Sequence, residues 1–356
     1  MSAEGSEAIE IQSPHTRWEY AEPSAEAPRP FAGGGLQLPP DLVTRVLAAD
    51  DDEYDPELAY VLAVVAGWSY SDAQTLANKL KYYALPDVSV EAIAVTNPAM
   101  LIVASAFFVR SSCGRLGILA FRGTEPANVI SWLTDTDVEQ RPFGKGAVHQ
   151  GFYANLEAVW EEIGAQLERA TTLSTHPRAN RRVRAPLRRL FVTGHSLGGA
   201  MAVLTAARLA RDDNFRDLVH GVYTFGQPAV GNRAFADECD GQFGKRLYRH
   251  LYAHDVVPHL PPAWDDRFVH FGAERITFST NKSWVVPEET GRQVRWLLPA
   301  VASCATAFVT RRLPLLEHVP LPYSLDDHSP ARYIEASRVG LARPAPVPST
   351  CAARDA

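Results

Sequence analysis

Ser196 lies in a sequence pattern that can turn a hydroxyl group into a nucleophile. Residues 194–198 read G-H-S-L-G, which has the form G-x-S-x-G. An apolar run, 190–193, precedes this pentapeptide, and a run with helical spacing, 201–209, follows it. A strand, this pentapeptide and a helix form a nucleophile elbow, in which the serine sits on a tight, strained turn above the sheet edge. The pattern therefore predicts Ser196 as a catalytic nucleophile.

Asp255 is the acid that we expect to work with this serine. A serine hydroxyl needs a histidine to take its proton and an acid to orient that histidine. In one common fold with this elbow, both partners follow the serine in the chain. Asp255 comes directly after a strand-like run, 247–253, so its carboxylate lies at the sheet edge that holds the elbow. Asp240, Asp265 and Asp266 are in polar contexts without that placement.

His328 is the expected base, although three other histidines also follow the acid. His259 is only four residues from Asp255, which hinders both side chains from approaching the serine from different loops. His270 lies within a predicted strand. His328 precedes the last predicted helix in a loop, and loops hold catalytic groups more often than strand interiors do. His318, in a segment flanked by prolines, stays open as an alternative.

The backbone amide of Leu197 is one expected donor to a negatively charged oxygen of the reacting ester. An oxyanion hole needs two such N–H groups. The second is expected from Thr124, because Gly123 lets the chain turn sharply after the strand-like run 116–122. The Thr124 hydroxyl is a third possible donor.

Helical and strand-like runs alternate along most of the chain. Helices are predicted over 56–66, 71–83, 152–170, 201–209, 234–243 and 330–339, and strands over 99–109, 116–122, 190–193, 218–225, 247–253 and 267–271. This alternation predicts an α/β fold with a mostly parallel central sheet and helices on both faces. We expect a flexible N-terminal arm over 1–45, one domain over 46–342 and a disordered tail over 343–356.

Composition limits the classes of partner. The 356 residues carry a net charge of −6, which argues against nucleic acid. No apolar run reaches the length of a transmembrane helix, and the longest, 297–310, contains Pro299. The first residues lack a basic start followed by an apolar core, and the four cysteines have no metal-site or disulfide-framework spacing. These features predict a cytoplasmic protein.

Six segments together resemble one known family. They are 121–124 (F-R-G-T), 148–152 (V-H-Q-G-F), 192–200 (V-T-G-H-S-L-G-G-A), 224–232 (T-F-G-Q-P-A-V-G-N), 254–258 (H-D-V-V-P) and 327–329 (D-H-S) with Tyr333 beyond. In this order they resemble the class 3, or fungal-type, lipase family of the α/β-hydrolase superfamily.

The resemblance implies a function. Family members hydrolyse acylglycerols or other carboxylic esters without a metal or an organic cofactor. It implies Ser196, Asp255 and His328 as nucleophile, acid and base, with Thr124 and Leu197 as oxyanion donors. It further implies that 226–228 forms a structural turn and that His149 lies near the site. The expected partner is therefore a lipid or ester substrate.

The family also suggests a lid over the site. Val129, Ile130 and Trp132 lie in a short amphipathic stretch, which could cover the site in water and open against lipid. An ordinary surface helix is the alternative. The connection from Asp255 to His328 is longer than is common in the family. This extra length could form a cap, a lipid-contacting surface or part of an acyl pocket, so a transient contact with a lipid interface is a further expectation.

Several functions share these catalytic residues. Within ester hydrolysis, the rivals to acylglycerols are phospholipids, short-chain soluble esters and cutin-like polyesters. Acyl transfer to an alcohol is possible on the same residues. A different class is a lipid-binding module that kept the fold and lost catalysis, which the complete set of catalytic residues argues against.

Overall fold

The computed structural model describes most of the region between residues 42 and 341. The described residues are 42–49, 53–83, 85, 88–97, 102–123, 139–172, 185–261, 266–279, 282–287, 326–339 and 341. They all belong to one compact unit, Leu38–Ala356. Several expectations lie outside the described residues: Thr124, the lid candidates Val129, Ile130 and Trp132, the alternatives His318 and Asp265, the run 297–310, the tail 343–356 and the arm up to residue 41.

The described residues form seven α-helices and nine strands. The helices are α1 (Leu42–Ala48), α2 (Pro56–Trp68), α3 (Ala73–Tyr83), α4 (Gln150–Thr171), α5 (Leu197–Leu209), α6 (Arg233–Phe243) and α7 (Pro330–Val339). The strands are β1 (Ser89–Asn97), β2 (Ile102–Arg110), β3 (Leu116–Phe121), β4 (Gln140–Phe143), β5 (Gly146–His149), β6 (Arg189–His195), β7 (Val219–Phe225), β8 (Leu247–Tyr252) and β9 (Ala273–Thr277). Helix α1 contains residue 45, where we expected the N-terminal arm to end and the domain to begin.

A mostly parallel sheet forms the centre of the described structure, as the sequence predicts. Its order is β1-β2-β3-β6-β7-β8-β9, and β4 pairs separately with β5. Strands β1, β2 and β3 pair antiparallel, whereas the ladder from β3 to β9 is parallel throughout. The carboxyl ends of β3, β6, β7 and β8 therefore lie along one edge, which we call the carboxyl edge.

Alternation along β6 shows that helices cover both faces of the sheet. Leu190 and Val192 belong to the core cluster that includes buried residues of α4 and α5. Thr193 points to the opposite face, where its hydroxyl donates to the carbonyl oxygen of Leu62 in α2 over 3.4 Å. Because neighbouring residues of a strand face opposite sides, α2 and the α4–α5 pair lie on different faces.

Local sequence explains where the helices begin. Asp55 caps α2, since its Oδ1 accepts the amides of Glu57 at 2.8 Å and Leu58 at 3.1 Å, and Pro56 takes the first helical position. Helix α4 buries an apolar stripe at helical spacing, formed by Phe152, Leu156, Val159, Ile163 and Leu167. The sequence predicts both helices, over 56–66 and 152–170.

One predicted strand needs correction, and three observed strands were missed. The strand predicted over 267–271 is wrong: Val269 makes only an isolated bridge with Gly231, and the strand beside β8 is β9, a few residues later. Strand β1 and the β4–β5 pair were not predicted.

In the described ranges, no helix combines the length and apolar character needed to cross a bilayer.

Candidate active site

Ser196 occupies a strained turn between β6 and α5. Its φ of 59° and ψ of −130° lie outside the regions that a non-glycine residue normally adopts. Two glycines allow the close approach that this turn requires. A Cβ on Gly194 would lie 2.1 Å from the carbonyl oxygen of Gly198, and a Cβ on Gly198 would lie 2.2 Å from that of Phe121. The turn is thus the elbow that the sequence predicts.

Asp255 and His328 form a buried pair at the carboxyl edge. His328 Nδ1 donates to Asp255 Oδ2 over 2.7 Å, and both residues are shielded from solvent. The amide of Val257 donates to Asp255 Oδ1 over 2.9 Å. The bond from Nδ1 leaves Nε2 of the neutral imidazole as an acceptor, which is the state that a general base needs.

Gly226 leaves the space that this pair occupies. An added Cβ would lie 2.8 Å from Asp255 Oδ2 and 2.9 Å from both Nδ1 and Cε1 of His328. The φ of Gly226 is +61°, which also favours glycine. The turn at 226–228, expected to be structural, therefore contacts the acid–base pair directly.

Tyr333 supplies a further donor to the acid. Its hydroxyl donates to Asp255 Oδ2 over 2.5 Å from helix α7. Burial, followed by the charge of Asp255, raises the pKa of Tyr333 well above its ordinary value, so the hydroxyl keeps its proton. Trp284 stacks on the Tyr333 ring with centroids 6.1 Å apart, and its Nε1 donates to Ser337 Oγ over 3.0 Å. Part of the long connection between acid and base thus packs behind the acid.

Ser196 and His328 are not hydrogen-bonded to each other. The Ser196 Oγ and His328 Nε2 atoms are both buried, and neither has a hydrogen-bond partner among the described residues. His328 nevertheless lies beside the elbow, because its ring and that of His195, the residue before Ser196, have centroids 4.5 Å apart. Contacts between nucleophile and base are often long in unliganded enzymes and shorten when substrate binds.

His195 links the elbow to the loop of His328. Its Nε2 donates to the backbone oxygen of His328 over 2.8 Å, and its Nδ1 accepts from the hydroxyl of Tyr70 over 2.9 Å. Burial, with a smaller effect from the charge of nearby His328, holds the pKa of His195 well below its ordinary value. A neutral ring is required here, since Nδ1 must accept while Nε2 donates.

The expected oxyanion donors are described in part. Leu197 is the first residue of α5, where amide groups have no partner within the helix. Gly123, directly before Thr124, lies tightly against the elbow: a Cβ there would be 2.1 Å from the hydroxyl of Tyr70 and 2.6 Å from the backbone oxygen of His195. The end of β3 thus reaches the elbow, whereas Thr124 itself lies outside the described residues.

The rejected candidates have other contacts. His259 lies in the short 3-10 helix Val257–His259, where burial lowers its pKa. His270 donates from Nε2 to the carbonyl oxygen of Pro258 over 2.7 Å. Asp240 accepts the amide of Gly272, and Asp266 pairs with Arg233. The charge of Asp255 acts on His259, opposing the effect of burial, but His328 rather than His259 holds the hydrogen bond to Asp255 Oδ2.

His149 has a capping role. Its Nδ1 accepts the amide of Gly151 over 3.0 Å at the start of α4, and its ring stacks on Phe152 with centroids 4.1 Å apart. The resemblance implied only that His149 lies near the site.

The sequence analysis missed Tyr70 and His195 as positioning residues. The place of His195 inside the elbow was a signal that could have identified it.

Comparison with known proteins identifies related sequences. The family model described as Lipase (class 3) matches residues 118–264, a range that contains Ser196 and Asp255 and ends before His328. The "Secreted mono- and diacylglycerol lipase 1" of Fusarium solani is 40% identical over 148 residues. This match covers 41% of this chain and only 39% of that protein, so the chain spans about two fifths of that relative.

Broader matches have lower identity. The "Lipase" of Rhizomucor miehei is 29% identical over 273 residues, which cover 70% of this chain and 71% of that protein. The crystal structure of a lipase from Rhizopus microsporus var. chinensis superposes with a TM-score of 0.49 and 26% identity, over 62% of this chain and 74% of that chain.

The expectation of a cytoplasmic protein is wrong. The Fusarium solani relative is a secreted enzyme, which contradicts an assignment based on the first residues and the cysteine spacing.

Proposed function

We propose that the chain, which the class 3 lipase family model matches over residues 118–264, is a member of that family within the α/β-hydrolase superfamily and hydrolyses carboxylic esters, in the first place acylglycerols. Ser196, Asp255 and His328 are the proposed catalytic residues. Leu197 and Thr124 are the proposed oxyanion donors. The single observation that carries the proposal is the buried Asp255–His328 pair, whose second ring nitrogen lacks a protein partner beside a strained elbow serine.

The proposed reaction is acyl transfer in two steps. Ser196 Oγ attacks the ester carbonyl carbon while its proton passes to His328 Nε2. The tetrahedral intermediate collapses, the imidazolium gives the proton to the leaving alcohol, and an acyl-enzyme remains. Water then attacks the acyl carbon with His328 as base, and the carboxylic acid leaves as Ser196 recovers its proton. Asp255 orients the imidazole and compensates its positive charge.

The proposed oxyanion hole stabilises the charge that develops on the carbonyl oxygen. The amide of Leu197 has the orientation of a helix N-terminus, which favours negative charge nearby. The short distance from β3 to the elbow supports a second donor just after Gly123. Removing one donor from such a hole costs about 100- to 1,000-fold in rate.

Acylglycerols are the proposed substrate class because of a relative. The Fusarium solani protein is named for mono- and diacylglycerols, and its match covers 41% of this chain. Phospholipids and short-chain soluble esters are the alternatives on the same residues. A transient contact with a lipid interface belongs to the proposal, since long-chain acylglycerols do not dissolve as single molecules.

An ester panel tests this function. We expect the wild-type protein to hydrolyse emulsified acylglycerols, and Ser196→Ala to lose at least about 1,000-fold in rate. Ser112→Ala, at an exposed serine in the turn between β2 and β3, at the end of β3 opposite the carboxyl edge, is the matched control and should keep full activity. Hydrolysis that survives Ser196→Ala would refute the mechanism. Activity on phospholipids or short-chain esters alone would refute the acylglycerol assignment.

A further inference from the structure

Trp284 lies on the connection after β9, and three contacts hold its indole ring in place. The next residue, Val285, pairs with Ile276 of β9 through backbone bonds of 2.9 and 3.0 Å. The ring packs edge-on against His250 of β8 with centroids 4.9 Å apart, and its Nε1 donates to Ser337 Oγ of α7 over 3.0 Å. The half-buried indole therefore joins two strands of the sheet to the last helix.

Tyr333 lies between this indole and the proposed acid. Its ring stacks on Trp284, with centroids 6.1 Å apart and planes 18° apart, while its hydroxyl donates to Asp255 Oδ2 over 2.5 Å. Ser337 Oγ, which accepts from Trp284, donates to the carbonyl oxygen of Tyr333 over 2.8 Å. Both the ring and the backbone of Tyr333 are thus connected to Trp284.

The parallel contact restrains Tyr333 in a way that its other aromatic neighbours do not. The rings of His195, Phe225 and Tyr252 meet the Tyr333 ring at 66°, 72° and 62°, so each touches it along an edge. Trp284 instead covers one face of the ring, and a covered face resists tilting. Loss of the indole would therefore allow the phenol to turn away from the acid.

Asp255 Oδ2 is shared by the tyrosine and the proposed base. It accepts from the Tyr333 hydroxyl and, over 2.7 Å, from His328 Nδ1. A shift of the hydroxyl would change the orientation of the carboxylate, and with it the position of the imidazole. Displacing a catalytic group by about 1 Å can cost about 100-fold in rate.

We propose that Trp284 is a positioning residue that holds the Tyr333 hydroxyl on Asp255 Oδ2. It acts through Tyr333 and not on the reacting ester. For its effect on rate, this inference rests on the proposed function. The arrangement of Asp255 and His328 can also be measured without turnover, which keeps the two claims separable.

Steady-state hydrolysis of a dissolved short-chain ester gives the first test. Trp284→Leu keeps an apolar side chain but loses the flat ring, and its kcat should fall about tenfold with KM nearly unchanged. Trp284→Phe keeps a ring on Tyr333 and should stay within about threefold of the wild-type kcat. The matched control is Val286→Ala in the same segment, which changes a side chain that is 63% exposed and should keep full activity. A Trp284→Leu protein with the wild-type kcat would overturn the proposal.

A double-mutant cycle distinguishes positioning from filling of space. Tyr333→Phe removes the hydroxyl through which Trp284 is proposed to act. Adding Trp284→Leu to Tyr333→Phe should therefore lower kcat by less than about twofold further. Equal losses from Trp284→Leu in both backgrounds would show that the indole only fills space, and would overturn the proposal.

Proton NMR of the full chain tests the same contact without any substrate. The proton between His328 Nδ1 and Asp255 Oδ2 should give a resonance far downfield of the backbone amides, which His328→Gln removes. In Trp284→Leu this resonance should move in the same direction as in Tyr333→Phe, while Trp284→Phe should leave it near the wild-type position. An unchanged resonance in Trp284→Leu would overturn the positioning role. The expected shifts in a protein that hydrolyses no ester would support that role and refute the proposed function.

Discussion

His195 Nε2 donates to the backbone oxygen of His328 over 2.8 Å, so the residue before the proposed nucleophile holds the loop of the proposed base. Tyr70, two residues after the end of α2, fixes the tautomer that makes this possible by donating to His195 Nδ1. Tyr70 also lies against Gly123, next to the proposed oxyanion residue. One tyrosine–histidine pair therefore connects three parts of the site that are far apart in the chain.

Tyr70→Phe should lower kcat without a comparable loss of fold stability. The change removes the hydroxyl that donates to His195 Nδ1, so the ring loses the partner that orients it. We expect kcat to fall about three- to tenfold, the scale of one hydrogen bond, with KM nearly unchanged. The measurement is steady-state hydrolysis of a dissolved ester beside urea unfolding. A variant with wild-type kcat would show that this pair does not position the base.

Gly226→Ala should abolish activity. Its new methyl group would lie within 2.9 Å of Asp255 and His328 atoms, and its φ of +61° is unfavourable for alanine. We expect at least about a 100-fold loss in kcat/KM because the acid–base pair must move. The measurement is ester hydrolysis by protein that is still folded by circular dichroism.

Gly241→Ala is the matched control for Gly226. Gly241 lies in α6, and a Cβ there would meet no atom within 4 Å. This variant should keep full activity and gain about 0.4–1 kcal/mol of stability, since alanine is the better helix former. If Gly226→Ala were as active as Gly241→Ala, the described geometry of the pair would be wrong.

The folded state should lose stability in mild acid. Burial lowers the pKa of His250 to about 3 and that of His195 well below its ordinary value. In the unfolded chain both return to about 6.5, so the unfolded state binds more protons below that pH. The stabilisation is complete above about pH 6.5 and is lost as the pH falls toward the folded pKa values, by at most about 1.4 kcal/mol per pH unit for each histidine.

Urea unfolding near pH 7.5 and near pH 5 measures this loss. His250→Gln should flatten the pH dependence, because glutamine can still donate to Thr224 and accept from Tyr54 but does not titrate. Whatever its stability near pH 7.5, its decrease toward pH 5 should be smaller than that of wild type. An unfolding midpoint that does not depend on pH, or an equal slope in His250→Gln, would contradict the burial of a neutral ring.

The sequence predicted the parts of the site that obey steric or chain-order rules. The G-x-S-x-G spacing predicted the elbow because only glycine permits the close contacts of Gly194 and Gly198. Chain order and strand ends selected Asp255 and His328, which the structure brings within 2.7 Å of each other. Their catalytic roles, like those of Thr124 and Leu197, stay predictions.

The remaining features depend on contacts between distant segments. Tyr70 reaches His195 across 125 positions, and Trp284 reaches Tyr333 and Ser337 from the connection after β9. No local periodicity signals such contacts. The strand beside β8 was predicted over 267–271, a few residues before β9. The run 267–271 is as apolar as β9, so composition could not separate them. Pairing with β8 decides which of the two runs becomes a strand.

Fluorophosphonate labelling tests the central claim most directly. The probe transfers its phosphorus to an activated serine oxygen with release of fluoride, and mass spectrometry locates the adduct. The account predicts one adduct per chain, on Ser196, and labelling that His328→Gln slows by at least about 100-fold. An adduct on another residue, or labelling of Ser196 at an unchanged rate in His328→Gln, would contradict it.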